Sequence, residues 1–105
     1  MSKYLVFRTY KLKPDADEQE FKAFLHELSA VVRSLPGCLS FMVLKGYKGE
    51  GEVAKADYDY AHITLWESPK IQMDDLRGGI SEPIREQFER LVDRTAAEGY
   101  TMLSE

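Results

Sequence analysis

The predicted elements of this 105-residue chain run β-α-β-β-α-β. That order specifies an α+β fold of the ferredoxin-like kind, a four-stranded antiparallel sheet with its helices on one face. Three observations lead there. Residues 3–12, 38–44 and 58–66 alternate in the period-two manner of strands. Residues 21–35 and 84–92 carry apolar side chains at helical spacing. No repeat, linker or low-complexity tract divides the chain, so residues 1–105 read as a single domain.

In the first strand, Tyr4, Val6, Arg8, Tyr10 and Leu12 fall on one side, and Leu5, Phe7, Thr9 and Lys11 on the other. Pro14 ends it. Asp15, Asp17, Glu18 and Glu20 load acid where a helix N-terminus favours it, and Asp17 with Glu20 has the spacing of a capping box. Phe21, Phe24, Leu25, Leu28, Val31, Val32 and Leu35 form the helix's apolar stripe, and Pro36-Gly37 stops it. In the second strand Cys38, Ser40, Met42 and Leu44 alternate with Leu39, Phe41 and Val43. Gly46–Asp59, with three glycines and mixed charge, reads as a mobile hairpin connection. The third strand, Tyr58–Trp66, sets Tyr60, His62, Thr64 and Trp66 against Ala61, Ile63 and Leu65.

Ser68-Pro69 opens a short helix expected to reach Leu76. Ser81, Glu82 and Pro83 open a longer one, with Ile84, Phe88, Leu91 and Val92 on its apolar side. Glu86 and Arg90 are spaced to pair on its outer face. Gly99 is expected to end this helix and Tyr100–Leu103 to form a brief last strand.

Composition narrows the function classes. Hydrophobic residues at 44% and charged residues at 30% describe a folded globular chain, not a disordered one. Fourteen Lys and Arg against eighteen Asp and Glu leave a net charge of −4, which disfavours nucleic acid as a partner. No apolar run approaches the ~20 residues of a membrane span, and no signal peptide is visible, so a cytoplasmic protein without membrane contact is expected. The single cysteine, Cys38, has no internal disulfide partner. With two histidines and neither HxxxH nor CxxC spacing, no metal site is expected.

Both sides of the strands carry large apolar groups. Leu5, Phe7, Leu39, Phe41, Val43, Ile63 and Leu65 read as one side; Val6, Tyr10, Met42, Leu44, Tyr60 and Trp66 as the other. Helices cover only one of them. At roughly 25 cal/mol per Å2, leaving the second wet forfeits several kcal/mol. The uncovered side is therefore expected to meet a second copy in a homodimer.

The strings Lys13-Pro14, Leu35-Pro36-Gly37-Cys38-Leu39-Ser40-Phe41 and His62-Ile63-Thr64-Leu65-Trp66-Glu67-Ser68 resemble the dimeric α/β barrel superfamily. Within it they are most similar to antibiotic biosynthesis monooxygenase-like proteins, over residues 3–70. The resemblance implies a dimer whose sheets pack face to face, with a cleft in each protomer between the sheet and its own helices. It implies an activity among cofactor-free monooxygenases of polyketide quinols, haem-degrading monooxygenases and polyketide cyclases. The chain departs from the pattern twice. Many members have Glu two residues before the tryptophan, where this chain has Thr64. Haem-degrading members take their haem ligand from a histidine after that tryptophan, and none lies C-terminal to His62.

Alternation gathers the polar groups on one parity: Arg8, Tyr10, Ser40, Tyr60, His62, Thr64 and Trp66. An apolar wall with a few polar groups is what a small-molecule cleft needs. The resemblance puts this parity on the helix side. His62 is the candidate general base, its ordinary pKa lying near neutrality; the alternative is a sheet histidine bonded across the dimer or to solvent. Arg8 offers a rigid donor fork for an oxyanion, or else an ion pair in the dimer interface. Trp66 can stack on a flat substrate or pack at a strand end. Thr64 and Tyr10 complete the candidate substrate-binding set. His26 faces away from the apolar stripe, and Cys38 has no activating neighbour.

Three functions stay open. One is a cofactor-independent oxidoreductase, a monooxygenase acting on an aromatic or quinol substrate with no metal, haem or flavin. The second is a cyclase or isomerase using the same base without oxygen. The third is a ligand-binding dimer without catalysis.

Overall fold

β1 (Tyr4–Leu12) pairs on both flanks, antiparallel to β3 (Tyr60–Trp66) on one side and β4 (Val92–Thr101) on the other. β2 (Cys38–Lys45) closes the far edge against β3, giving the order β2-β3-β1-β4. α1 (Glu18–Arg33) follows β1, and α2 (Glu82–Leu91) precedes β4. The structure is a computed structural model that describes residues 2–49, 51, 56–70 and 80–104. The expected βαββαβ plan is present, and the Cα envelope of 40 × 38 × 17 Å is a slab two layers deep.

α1 begins where Asp17 accepts the amide proton of Gln19 at 2.8 Å. Glu20 does not complete the expected capping box; it pairs with Arg90 of α2, the residue whose spacing offered it to Glu86. The stripe Phe21, Phe24, Leu25, Leu28 and Val32 is buried against Tyr10, Phe41, Tyr60 and Trp66 of the sheet and Ile84 and Leu91 of α2. The chain then reverses through Leu35-Pro36-Gly37-Cys38, closed by the Cys38 N–H on the Leu35 carbonyl at 3.2 Å. Gly37 sits at φ 89°, the third position of a type II turn, where a side chain is strained. Its carbonyl accepts from the Glu67 amide at 2.9 Å, tying the turn to the end of β3.

Two expectations need correcting. The strict alternation expected through β2 breaks at a bulge: Cys38 lies opposite Trp66, but Ser40 lies opposite Leu65. One extra residue reverses every later side chain. Phe41 and Val43 therefore face the helices, while Ser40, Met42 and Leu44 face out.

The second correction concerns the last strand. Residues 92–101 are not a helix tail followed by a short strand; they are β4, paired along the whole of β1 from Leu12↔Val92 to Tyr4↔Thr101. Asp93-Arg94-Thr95-Ala96-Ala97-Glu98 has no apolar alternation because it is an exposed edge, and charge is the usual composition of a protected edge. Pairing with β1 overrides local helix propensity. Gly99, expected as a helix stop, instead leaves room for the Tyr4 ring, which a Cβ there would strike.

The Gly46–Asp59 connection continues the β2–β3 hairpin, with the Gly46 amide on the Asp59 carbonyl at 2.8 Å and Ala56 on Tyr47 at 2.9 Å. Glu50 and residues 52–55 lie outside the described residues. Of the short helix expected from Ser68 to Leu76, residues 69–70 are helical and residues 71–79 lie outside the described residues. Among the described residues no helix is long and apolar enough to cross a membrane.

Candidate functional site

The site grows from the β1–β3 register. Tyr4↔Trp66, Val6↔Thr64, Arg8↔His62 and Tyr10↔Tyr60 are directly opposite pairs. Opposed residues in an antiparallel pair project to the same face, so this set shares one surface. That surface lies under the helices. Phe24, Leu28 and Val32 of α1 and Ile84, Arg85 and Phe88 of α2 close over it, leaving a cavity of about 280 Å3. Val6, Arg8, Tyr10, His62, Thr64 and Trp66 form its floor, so the five residues expected at the site all line one cavity. Ser40 is the exception among the polar parity, carried to the outer face by the β2 bulge.

Inside, the polar groups are tied to one another. The Tyr10 hydroxyl and His62 Nδ1 are 2.9 Å apart, both residues buried. The Trp66 indole N–H donates to Thr64 Oγ1 at 2.8 Å, which satisfies a nitrogen on a side chain with no exposed surface. Arg8 Nη1 donates to Thr95 Oγ1 on β4 at 3.1 Å, and Thr95 donates in turn to the Thr9 carbonyl at 2.7 Å. The Phe41 ring stands 4.7 Å from the His62 ring, and the Tyr10 ring packs edge-on against Phe21 at 5.3 Å.

Burial sets the electrostatics. It disfavours the imidazolium, and the Arg8 charge adds to that, so His62 falls from 6.5 to about 4. His62 is neutral throughout the physiological range and is a weak base in the free site. Burial also pushes the Tyr10 phenol well above its ordinary value, the Arg8 charge opposing weakly. Tyr10 therefore keeps its proton. Burial raises Tyr60 as well, helped by Glu18, to which its hydroxyl donates at 3.3 Å.

Three members of the site were missing from the expectations. Arg85 lines the cavity from α2. Its signal is faint: it stands beside Ile84 and three residues before Phe88, on the border of the apolar stripe. Thr95 holds Arg8 but sits in a strand whose sequence hides it. Phe41 reaches His62 only because of the bulge. Outside the site, Cys38 is half-buried, and burial pushes its thiol up. His26 is exposed on α1. Among the described residues no three His, Cys, Asp or Glu side chains gather to hold a metal ion.

A family model described as REDY-like protein HapK matches residues 4–101, nearly the whole chain. The chain belongs to that family. No curated protein matches it. Among solved structures it is similar to SnoaB, a cofactor-independent oxygenase from Streptomyces nogalater, at 13% identity and a TM-score of 0.80, covering 100% of this chain and 97% of that one. It is similar to Rv0793 from Mycobacterium tuberculosis at 23% identity and a TM-score of 0.74, covering 99% and 98%. A dimeric ferredoxin-like protein of unknown function from Thermobifida fusca matches at 11% identity and a TM-score of 0.65, covering 96% and 92%. At these identities the likenesses establish the fold, and it is the one that the resemblance to the dimeric α/β barrel superfamily implies.

Proposed function

We propose that this REDY-like protein is a small-molecule enzyme, a cofactor-independent monooxygenase that oxidises an electron-rich aromatic or quinol in the sheet–helix cleft. The observation that carries the reading is the cavity itself: about 280 Å3, walled by Phe24, Phe88 and Trp66, with Arg8 and His62 side by side on its floor. Apolar walls with two adjacent polar groups suit a flat ring bearing a hydroxyl. The likeness to SnoaB, whose own description is a cofactor-independent oxygenase, supports the same reading.

In this scheme the substrate hydroxyl gives up its proton and the oxyanion is held by Arg8, with His62 beside it. Charge delocalised onto a ring carbon makes that carbon the reductant. Dioxygen bonds to it, and loss of water leaves a carbonyl. One oxygen atom ends in the product and one in water; the ring supplies the electrons. Trp66 and Phe88 hold the ring flat, and Thr64 and Tyr10 complete the binding surface.

The outer sheet face belongs to the same proposal. Leu39, Met42 and Tyr100 are 44%, 53% and 51% exposed there, beside Leu5, Phe7, Ile63 and Leu65. A second copy packed on this face gives the homodimer. It also leaves both clefts open, since the helices lie on the opposite side.

An oxygen electrode tests the activity. With a panel of anthrones and dihydroxynaphthalenes, the wild type takes up one dioxygen per substrate consumed, and Arg8→Ala loses about 10²-fold or more of the rate, as loss of oxyanion stabilisation does. Conversion without oxygen uptake points instead to a cyclase or isomerase. Saturable binding with no turnover of any panel member contradicts the enzyme reading.

A further inference from the structure

We infer that Tyr10 locks His62 in the tautomer that carries its proton on Nε2, and that the cavity consequently takes its ligand as a phenolate or enolate. The inference rests on the cleft being the binding site proposed above. It changes the role of His62 from proton acceptor to hydrogen-bond donor.

The argument follows the hydrogen bonds. Tyr10 is 1% exposed, and its hydroxyl proton must be placed. Its partner is His62 Nδ1 at 2.9 Å. If Nδ1 carried the proton and donated to the phenol oxygen, the phenol proton would need another acceptor in an apolar surround of Phe21 and Phe88. If the phenol donates, both groups are satisfied, and the imidazole proton stands on Nε2. With Nδ1 taken, Nε2 is the ring nitrogen left for a ligand. A depressed imidazole pKa and a raised phenol pKa agree with a neutral pair.

The remaining polar side chains point the same way. Thr64 Oγ1 already accepts the Trp66 indole proton, so its own proton is left to give. Arg8 spends one N–H on Thr95 and keeps the rest of its fork. Arg85 adds a second guanidinium from α2, while α1 contributes only apolar side chains. Among the described residues, no carboxylate lines the cavity. Two cations and two neutral donors select the ionised ligand. Its proton goes to bulk water, so no general base is needed in the cleft.

Two measurements decide it. The first is the ¹⁵N spectrum of His62 in the wild type at neutral pH, which needs neither variant nor ligand. Nε2 is expected with the shift of a protonated nitrogen and Nδ1 with that of a bare one; the reverse overturns the tautomer assignment. The second uses para-nitrophenol, whose two protonation states absorb differently. Bound to the wild type, its pKa is expected to fall by at least about one unit, a tenfold preference for the anion. Tyr10→Phe should weaken binding of the phenolate at least about tenfold more than that of para-nitroanisole. A merely structural Tyr10 would weaken both alike, and an unshifted pKa would overturn the oxyanion preference. Neither readout requires turnover. Absence of oxygen uptake with a lowered bound pKa removes the oxygenase reading alone; oxygen uptake with an unshifted pKa removes this inference alone.

Discussion

Trp66 has no solvent-exposed surface, yet it walls the cavity and donates to Thr64. Truncating so large a buried ring removes transfer energy and leaves a void. Trp66→Ala is expected to cost about 3–5 kcal/mol in urea unfolding, and Trp66→Phe distinctly less. His62 makes a second residue-scale prediction. Its folded pKa of about 4 lies below its ordinary 6.5, so protonation favours the unfolded chain. The stability held by the neutral ring is complete above pH 6.5 and is lost as pH falls through 4, in total roughly 3 kcal/mol. Comparing urea midpoints at pH 7.5 and pH 4, His62→Gln should fall less between the two than the wild type. An equal fall in both would contradict the burial argument. At this scale the site was largely legible: alternation, with the pairing of the first and third strands that the element order supplies, brought Arg8, Tyr10, His62, Thr64 and Trp66 onto one face. Arg85 was not, because a lone arginine beside an apolar stripe is the ordinary composition of a helix border.

Among the elements, β1, β2 and β3 were readable and β4 was not. β1 and β3 are paired on both flanks and covered by the helices on one face, so their apolar and β-branched content is high. β4 is an exposed edge, and its Asp, Arg, Ala and Glu residues mimic a helix. The β2 bulge left no mark either, since Leu39, Phe41, Met42 and Val43 are apolar on both parities. The turn before β2 was legible, as Pro36-Gly37 specifies its own geometry. Gly37→Ala places a Cβ at φ 89° and is expected to cost about 1–2 kcal/mol. Because Gly37 also fixes the Glu67 amide, hydrogen exchange at Glu67 should accelerate in that variant. An unchanged midpoint and unchanged exchange would contradict the tie between turn and β3.

At the scale of the whole molecule, the two faces of the sheet have different tasks. The helix side holds a cleft with charge on its floor; the outer side is apolar and partly bare. A mass of twice 12.1 kDa is expected in sedimentation at micromolar concentration. Met42→Glu, on the outer face, should shift the protein toward the monomer, and a wild-type monomer at that concentration would contradict the interface. The central claim is that the cleft receives an aromatic hydroxyl compound, and Trp66 reports on it directly because it is the only tryptophan in the chain. The measurement is its fluorescence during titration with a hydroxynaphthoquinone. Saturable quenching at one site per protomer, weakened at least about tenfold by Arg8→Ala, is the predicted result. Quenching that rises linearly without saturation, or that Arg8→Ala leaves untouched, would contradict it.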